Sequence, residues 1–374
     1  MLQPALKTPR HILMTLDAVG GVWRYGLDLC RSLGPHGIRF LLVGLGPEPS
    51  KAQWEEVRRL RNADVVWLDI PLDWQAESAA EMETLPHWLD ELARRWQIDL
   101  MHLNLPSQAA GLNVDCPVVV ASHSCLATWW QAVRREDFPS SWQWNRESNA
   151  RGLNAADLVI TPSRSHAAAL QHAYGTIEAP VISVPNGTAK SWHRYRKTQL
   201  VLSAGRWWDE GKNGTAIDAA AESIEWPVLM AGPLTGPAGQ EIRLLRACPL
   251  GERRPEDMRR LMGRASIFIS ASLFEPFGLA VLEAAAAETA LVLSDIPTFR
   301  ELWDGVALFV DPHEPEGYAA AVNRLIKDRH GCALLACAAR ERAARFTLEI
   351  QAARMRQVYA DVLLRCAKPL TATG

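Results

Sequence analysis

Short apolar runs alternate with longer segments of helical periodicity along the whole chain, and the alternation is interrupted once and then restarts. That pattern constrains the fold most, because it demands parallel sheets flanked by helices. In the first half the spacing predicts strands over 11–16, 39–44, 64–68, 100–103, 117–121, 158–161 and 181–184, with helices over 22–33 and 85–96. Val184-Pro185-Asn186-Gly187-Thr188 then supplies turn chemistry, and the polar stretch 190–197 reads as a linker. Strands follow over 200–204, 228–231, 242–245, 267–270, 290–293 and 307–310. Helices are predicted over 214–223, 255–262, 278–287, 317–327, 334–344 and 348–364, the last with Thr347 as its N-cap.

A length of 374 residues, 48% hydrophobic and 22% charged, accommodates two globular domains of this kind. The expected architecture is α/β, with two doubly wound Rossmann-like domains facing an inter-domain cleft. The first domain is assigned to 1–187 and the second to 188–346, with a closing segment over 347–374. Ligands of doubly wound sheets bind beyond the carboxyl ends of the strands, so the functional residues are sought there.

Several function classes fit poorly. The formal net charge is −2, which does not suit a general nucleic-acid binder. No apolar run has the length of a membrane span, and the first residues lack the pattern of a signal peptide. The seven Cys are scattered, with no C-x-x-C pair, which points to a reducing cytoplasm rather than a disulfide framework or structural zinc site. The cluster Arg58-Arg59-Arg61 offers a peripheral membrane contact, although such clusters are ordinarily solvated faces. No H-E-x-x-H, Walker loop, G-x-S-x-G or D-x-D element is present, and no metal site is expected.

The strongest local signal is the run from Ser272 to Ala284, S-L-F-E-P-F-G-L-A-V-L-E-A. A strand ends just before it and a helix starts near Gly278. Amides at a helix N-terminus lack internal partners and favour anions or hydroxyl oxygens. Glu275 lies in the turn, and Glu283 sits one turn into the helix, leaning back to the same mouth. Carboxylates accept hydrogen bonds from hydroxyls, so a polyol suits this corner. The ordinary alternative is a solvated loop glutamate and a surface-helix glutamate. A second cluster is Gly205-Arg206-Trp207-Trp208-Asp209-Glu210-Gly211-Lys212-Asn213. Arg206 offers a planar fork of donors and Lys212 a point charge, a combination suited to a diphosphate. Taken alone, pairing of both with Asp209 and Glu210 is the simpler account.

In the first half, Gly20-Gly21 lies between a strand and a helix, where a backbone can approach a ligand closely. Gly44-Leu45-Gly46 is followed by Pro47 and Pro49, so a nicotinamide-dinucleotide fingerprint is poorly supported. His123 ends a strand on the ligand side. Trp129, Trp130, Trp142 and Trp144, four of the fifteen Trp, follow it and form a candidate acceptor-side element.

In order along almost the whole chain these segments resemble glycosyltransferase family 4, retaining nucleotide-sugar-dependent enzymes of GT-B fold. The match runs through D-A-V-G-G-V-W at 17–23, A-S-H-S at 121–124, P-N-G at 185–187, G-R-W-W-D-E-G-K-N at 205–213, E-P-F-G-L-A-V-L-E-A at 275–284 and R-E-L-W at 300–303. The resemblance implies that Glu275 contacts donor-sugar hydroxyls beside the amides of Phe277, Gly278 and Leu279. It implies that Glu283 holds the ribose and that Arg206 and Lys212 neutralise the leaving diphosphate. His123 would touch the donor sugar and assist at the reacting face, giving His123 and Glu275 the catalytic roles. Gly20 and Gly21 would line the cleft, and the last helix would cross back to the N-terminal domain.

The sequence departs from the family at Glu288 and Ala290, where a Gly and a Pro are frequent, and in the loop 207–211. The implied activity is a cytoplasmic, metal-independent hexosyltransferase. Its partners would be a nucleoside diphosphate sugar as co-substrate and a hydroxyl acceptor (sugar, lipid-linked sugar or small molecule), with no further cofactor and no nucleic acid. A nucleotide-sugar epimerase of GT-B fold and a non-catalytic nucleotide-sugar-binding protein are the rival readings.

Overall fold

The computed structural model describes residues 8–366 apart from 135, 190, 191, 194 and 238. Residues 190, 191 and 194 of the expected linker, and 367–374 of the expected closing segment, lie outside the described residues. The chain divides into two compact units. One combines Met1–Thr128, Asp137–Val184 and Leu348–Gly374, and the other combines Trp129–Glu136 with Pro185–Thr347.

The first unit is built on seven parallel strands: β1 (His11–Asp17), β2 (Arg39–Leu45), β3 (Ala63–Trp67), β4 (Leu100–Leu103), β5 (Val118–Ala121), β6 (Leu158–Thr161) and β7 (Val181–Ser183). Their order is β3-β2-β1-β4-β5-β6-β7. The chain therefore reverses its direction of travel across the sheet between β1 and β4, and crevices for ligands form at such a point. Near-continuous burial of the central strands explains why they read as unbroken apolar runs. Helix Gly21–Leu33 turns Trp23, Leu27, Cys30 and Leu33 to one face at helical spacing. The last helix, Leu348–Cys366, adds Ala352, Met355, Val358, Tyr359 and Val362 to the same core.

Gly44 belongs to packing rather than to phosphate binding. A Cβ there would lie 1.8 Å from the Trp67 ring, whose Nε1 donates to the Gly46 carbonyl at 3.0 Å.

The second unit holds six parallel strands: β8 (Thr198–Ala204), β9 (Val228–Ala231), β10 (Cys248–Gly251), β11 (Ala265–Ser270), β12 (Ala290–Ser294) and β13 (Leu308–Val310). The order is β10-β9-β8-β11-β12-β13, with its reversal between β8 and β11. Behind them, Leu282 and Phe299 are fully buried, each worth about 1.5–3 kcal/mol of burial.

Three expectations need correction. The strand predicted over 242–245 is absent, and the pairing strand is β10 instead. The Asp218 carboxylate collects the amides of Leu245, Arg246 and Ala247 at 2.9–3.0 Å, which bends the chain where a ladder would have run. The domain boundary falls between Val184 and Pro185 rather than at 187. Finally, Trp129–Glu136 belongs to the second unit, not the first, because Trp129 Nε1 donates to Asp209 Oδ1 at 2.9 Å and Arg134 pairs with Glu210 at 2.7 Å. Among the described residues, no helix is long and apolar enough to cross a membrane.

Candidate functional site

The two motif loops of the second unit leave β8 and β11, the strands on either side of its reversal point. Gly205 and Arg206 follow β8, and the turn carrying Glu275 follows β11. The loops are stitched together. The Gly211 carbonyl accepts from the Leu273 amide at 2.9 Å, and Asn213 Nδ2 donates to the carbonyls of Ala271 (3.0 Å) and Pro312 (2.8 Å). Asp209 orders the first loop by accepting from the Gly211 amide and from Trp129 Nε1, both at 2.9 Å. A Cβ on Gly211 would come within 2.8 Å of Trp129 Nε1, so loop and indole fit closely. Trp129, one of the candidate acceptor-side aromatics, buttresses the loop that carries Lys212.

Within this frame Lys212 Nζ donates to Glu275 Oε2 at 2.5 Å, both side chains being mostly shielded. Arg206 makes a longer contact, Nη2 to Asp209 Oδ2 at 3.4 Å, with its guanidinium 5.3 Å from the Trp208 ring centre. The simpler account of the two cations is therefore half correct: Arg206 pairs with Asp209, but Lys212 pairs with Glu275. Each cation thus has a carboxylate partner, and the corner presents balanced charge.

The helix Leu279–Ala286 begins at this corner because Gly278 takes φ +89°, a left-handed conformation that a side chain resists. Phe277 is buried beneath it, its ring edge-on to Phe346. The amides of Phe277, Gly278 and Leu279 meet no protein acceptor among the described residues. Glu283 lies one turn further, half-buried. At the far end of the helix Glu288 adopts φ +60°, which explains in physical terms why glycine suits that position, and Arg340 Nη1 donates to its Oε2 at 2.8 Å.

The remaining site residues lie in the first unit, at the carboxyl ends of β1, β4 and β5. Gly20 is the extended residue preceding helix Gly21–Leu33, and Gly21 is exposed at its first position. His123 Nε2 lies 2.8 Å from Asn104 Oδ1. The Asn104 amide group is oriented by its own donation to the Thr15 carbonyl at 2.6 Å, so Oδ1 faces the imidazole. Desolvation pushes the His123 pKa down to about 4, leaving the ring neutral at pH 7. A neutral ring that donates through Nε2 keeps Nδ1 as an acceptor. The ring of Tyr25 lies edge-on to it at 4.4 Å. Asn104 and Tyr25 were not singled out from the sequence. Asn104 follows a strand at its carboxyl end, as His123 does, and that shared position was the available signal.

The structure therefore collects Arg206, Lys212, Glu275, Phe277, Gly278, Leu279 and Glu283 in one unit, and Gly20, Gly21 and His123 in the other. Among the described residues, no three His, Cys, Asp or Glu side chains are grouped to hold a metal ion.

The chain matches the family model Glycosyltransferase Family 4 over residues 19–191 and Glycosyl transferases group 1 over 198–328. D-inositol 3-phosphate glycosyltransferase of Thermobispora bispora is 34% identical over 103 residues, 27% of this chain and 24% of that protein. The curated relatives it matches are spanned over only 20–24% of their length. Among solved structures, sucrose-phosphate synthase from Thermosynechococcus elongatus superposes with a TM-score of 0.78 at 18% identity, over 95% of this chain and 100% of that one. Anabaena Alr3699/HepE in complex with UDP-glucose gives 0.72 at 21% identity, over 95% and 99%. These likenesses show the GT-B fold, and the two family matches, one along each half of the chain, are those of a family 4 glycosyltransferase.

Proposed function

We propose that the chain transfers a hexosyl group, with retention of configuration, from a nucleoside diphosphate sugar to a hydroxyl acceptor, without a metal ion. The observation that carries this reading is the corner of the second unit. There two cations, a carboxylate and three amides that meet no acceptor among the described residues lie at the sheet reversal. The diphosphate would draw Arg206 from its long contact with Asp209 and take the Lys212 protons that do not face Glu275. Fixed positive charge would then stabilise the leaving oxygen. Glu275 would accept from donor-sugar hydroxyls beside the amides of Phe277, Gly278 and Leu279, and Glu283 from the ribose. In the first unit His123 would accept a donor-sugar hydroxyl through Nδ1, with the backbone at Gly20 and Gly21 beside it. Such a protein would act in the cytoplasm.

HepE has been solved with UDP and glucose as well as with UDP-glucose, which makes UDP-sugars the first donors to test. Titration with UDP, GDP and ADP measures the diphosphate site directly. Arg206→Ala or Lys212→Ala is expected to weaken the preferred diphosphate by about 1.5–3 kcal/mol while leaving the nucleoside unaffected. Transfer to an acceptor panel, with and without chelator, follows, and the anomeric product is read by NMR. Sugar turnover that proceeds fully without any acceptor would point to an epimerase. Loss of activity with chelator, restored by Mg²⁺ or Mn²⁺, would contradict the charge arrangement proposed here.

A further inference from the structure

We propose that Tyr359, on the last helix, positions the imidazole of His123 through His102 and Tyr25, so that the C-terminal helix is a working part of the first unit's half of the machinery. This rests on the proposed role of His123. Tyr359 Oη lies 2.7 Å from His102 Nδ1, and His102 Nε2 lies 3.3 Å from Tyr25 Oη. The Tyr25 ring in turn packs edge-on against His123 at 4.4 Å. Tyr359 and His102 are wholly buried, and Tyr25 is nearly so. The four residues come from the last helix, β4, the first helix and the end of β5, and the contact between His102 and Tyr359 alone spans 257 positions in sequence.

Proton counting shows that the arrangement is directional. Burial holds both phenols above their ordinary range, so each keeps its proton. Burial, helped by His123, pushes His102 down to about 3, so its ring is neutral and carries one proton. Three protons therefore serve two contacts, and each contact takes one. The short Tyr359 contact matches an O–H donor, which leaves the Nε2 proton facing the Tyr25 oxygen. Tyr25 is then held by acceptance, with its own proton to spare. His123 is fixed from two sides, by Tyr25 at its edge and by Asn104 at Nε2. Asn104 is anchored in turn, since its backbone N–H donates to Thr15 Oγ1 at 2.8 Å and Thr15 Oγ1 donates to Gln108 Oε1 at 2.6 Å. If Tyr359 served packing alone, phenylalanine would replace it without consequence at His123.

The test uses the full chain with Tyr359→Phe, Tyr25→Phe, the double variant and His123→Ala. Each is measured for kcat, donor KM, Tm and the ¹⁵N imidazole resonances of His123. Tyr359→Phe is expected to lower kcat about fivefold to tenfold with donor KM within about twofold, and to shift the His123 resonances. The double variant should lose no more than Tyr25→Phe alone, because both act through one chain. Wild-type kcat with unmoved His123 resonances overturns the proposal. So does a kcat loss that merely follows a lowered Tm with those resonances unchanged. If His123→Ala keeps full kcat, the reading of His123 itself fails, and the relay then stands or falls on the resonances. Should Tyr359→Phe not fold, Tyr25→Phe and His102→Gln carry the same comparison.

Discussion

At the level of single residues the pairing of Lys212 with Glu275 changes what a substitution is expected to do. Both residues stand out in the sequence, but as holders of different parts of one ligand. Their contact at 2.5 Å also makes Glu275 a competitor of the phosphate for the Lys212 ammonium. Glu275→Gln keeps the shape and removes the charge, which frees Lys212 for phosphate. Affinity for the nucleoside diphosphate alone is then expected to rise, by about 0.5–1.5 kcal/mol. Turnover is expected to fall sharply, because a contact to the sugar made in the transition state is weakened. Opposite signs in calorimetry and in kcat would establish the dual role. Weaker diphosphate binding in a well-folded variant would show that Glu275 orients Lys212 toward the phosphate instead. Asn104 and Tyr25 were not legible in the same way. Asparagine after a strand and tyrosine on a helix are common, and only the fold brings them to His123.

Elements were legible where their own periodicity decided them. The central strands of both sheets are apolar because they are covered on both faces, and the sequence spacing places them closely. The exception, 242–245, has the right apolar residues, but Asp218 claims the backbone amides that follow. A side chain distant in sequence overrides a local pattern, which local reading does not foresee. The helix Leu279–Ala286 shows backbone demands at both ends, with Gly278 at φ +89° and Glu288 at φ +60°.

Gly278→Ala is expected to cost about 1–2 kcal/mol of stability from conformation alone. The added Cβ would also stand 3.0 Å from Phe299 Cε1 and 3.3 Å from Glu275 Cγ, so turnover should fall further than stability explains. At the other end Glu288→Gly and Glu288→Ala both lose the contact with Arg340, and only glycine relieves the strain. Glycine should therefore be the more stable of the two by about 1 kcal/mol in denaturant titration. Equal stabilities would mean that the left-handed conformation carries no cost there.

For the whole molecule, the two-unit plan was legible from the restart of the alternation. The reassignment of Trp129–Glu136 was not, since it depends on Trp129 and Arg134 finding Asp209 and Glu210. The same division predicts unequal behaviour in acid. His102 and His166 are buried in the first unit, and burial pushes both down to about 3. Their unfolded values lie near about 6.5, so between these limits the unfolded chain binds protons that the folded unit refuses. Their contribution is complete above about pH 6.5 and drains as pH falls, at up to about 2.7 kcal/mol per pH unit for these two protons, and His123, pushed down to about 4 by burial, adds to it in the same direction.

Asp73, in the same unit, acts oppositely. Burial raises its pKa against the hydrogen bonds from Ser107 and Asn149, so protonation there favours the folded form at lower pH. In the second unit Asp218 differs again. Burial raises its pKa, but the amides of Ala247, Arg246 and Leu245 outweigh this and hold it below the ordinary value. Its contribution is therefore lost only below the carboxylate range. Hydrogen exchange at pH 5 and pH 7.5, corrected for intrinsic rates, should show lost protection in β4, in helix Arg164–Tyr174 and in the last helix, while β8, β11 and β12 stay protected. Simultaneous loss in both units, or protection of the first unit outlasting the second, would refute the assignment of acid sensitivity to the first unit's desolvated histidines.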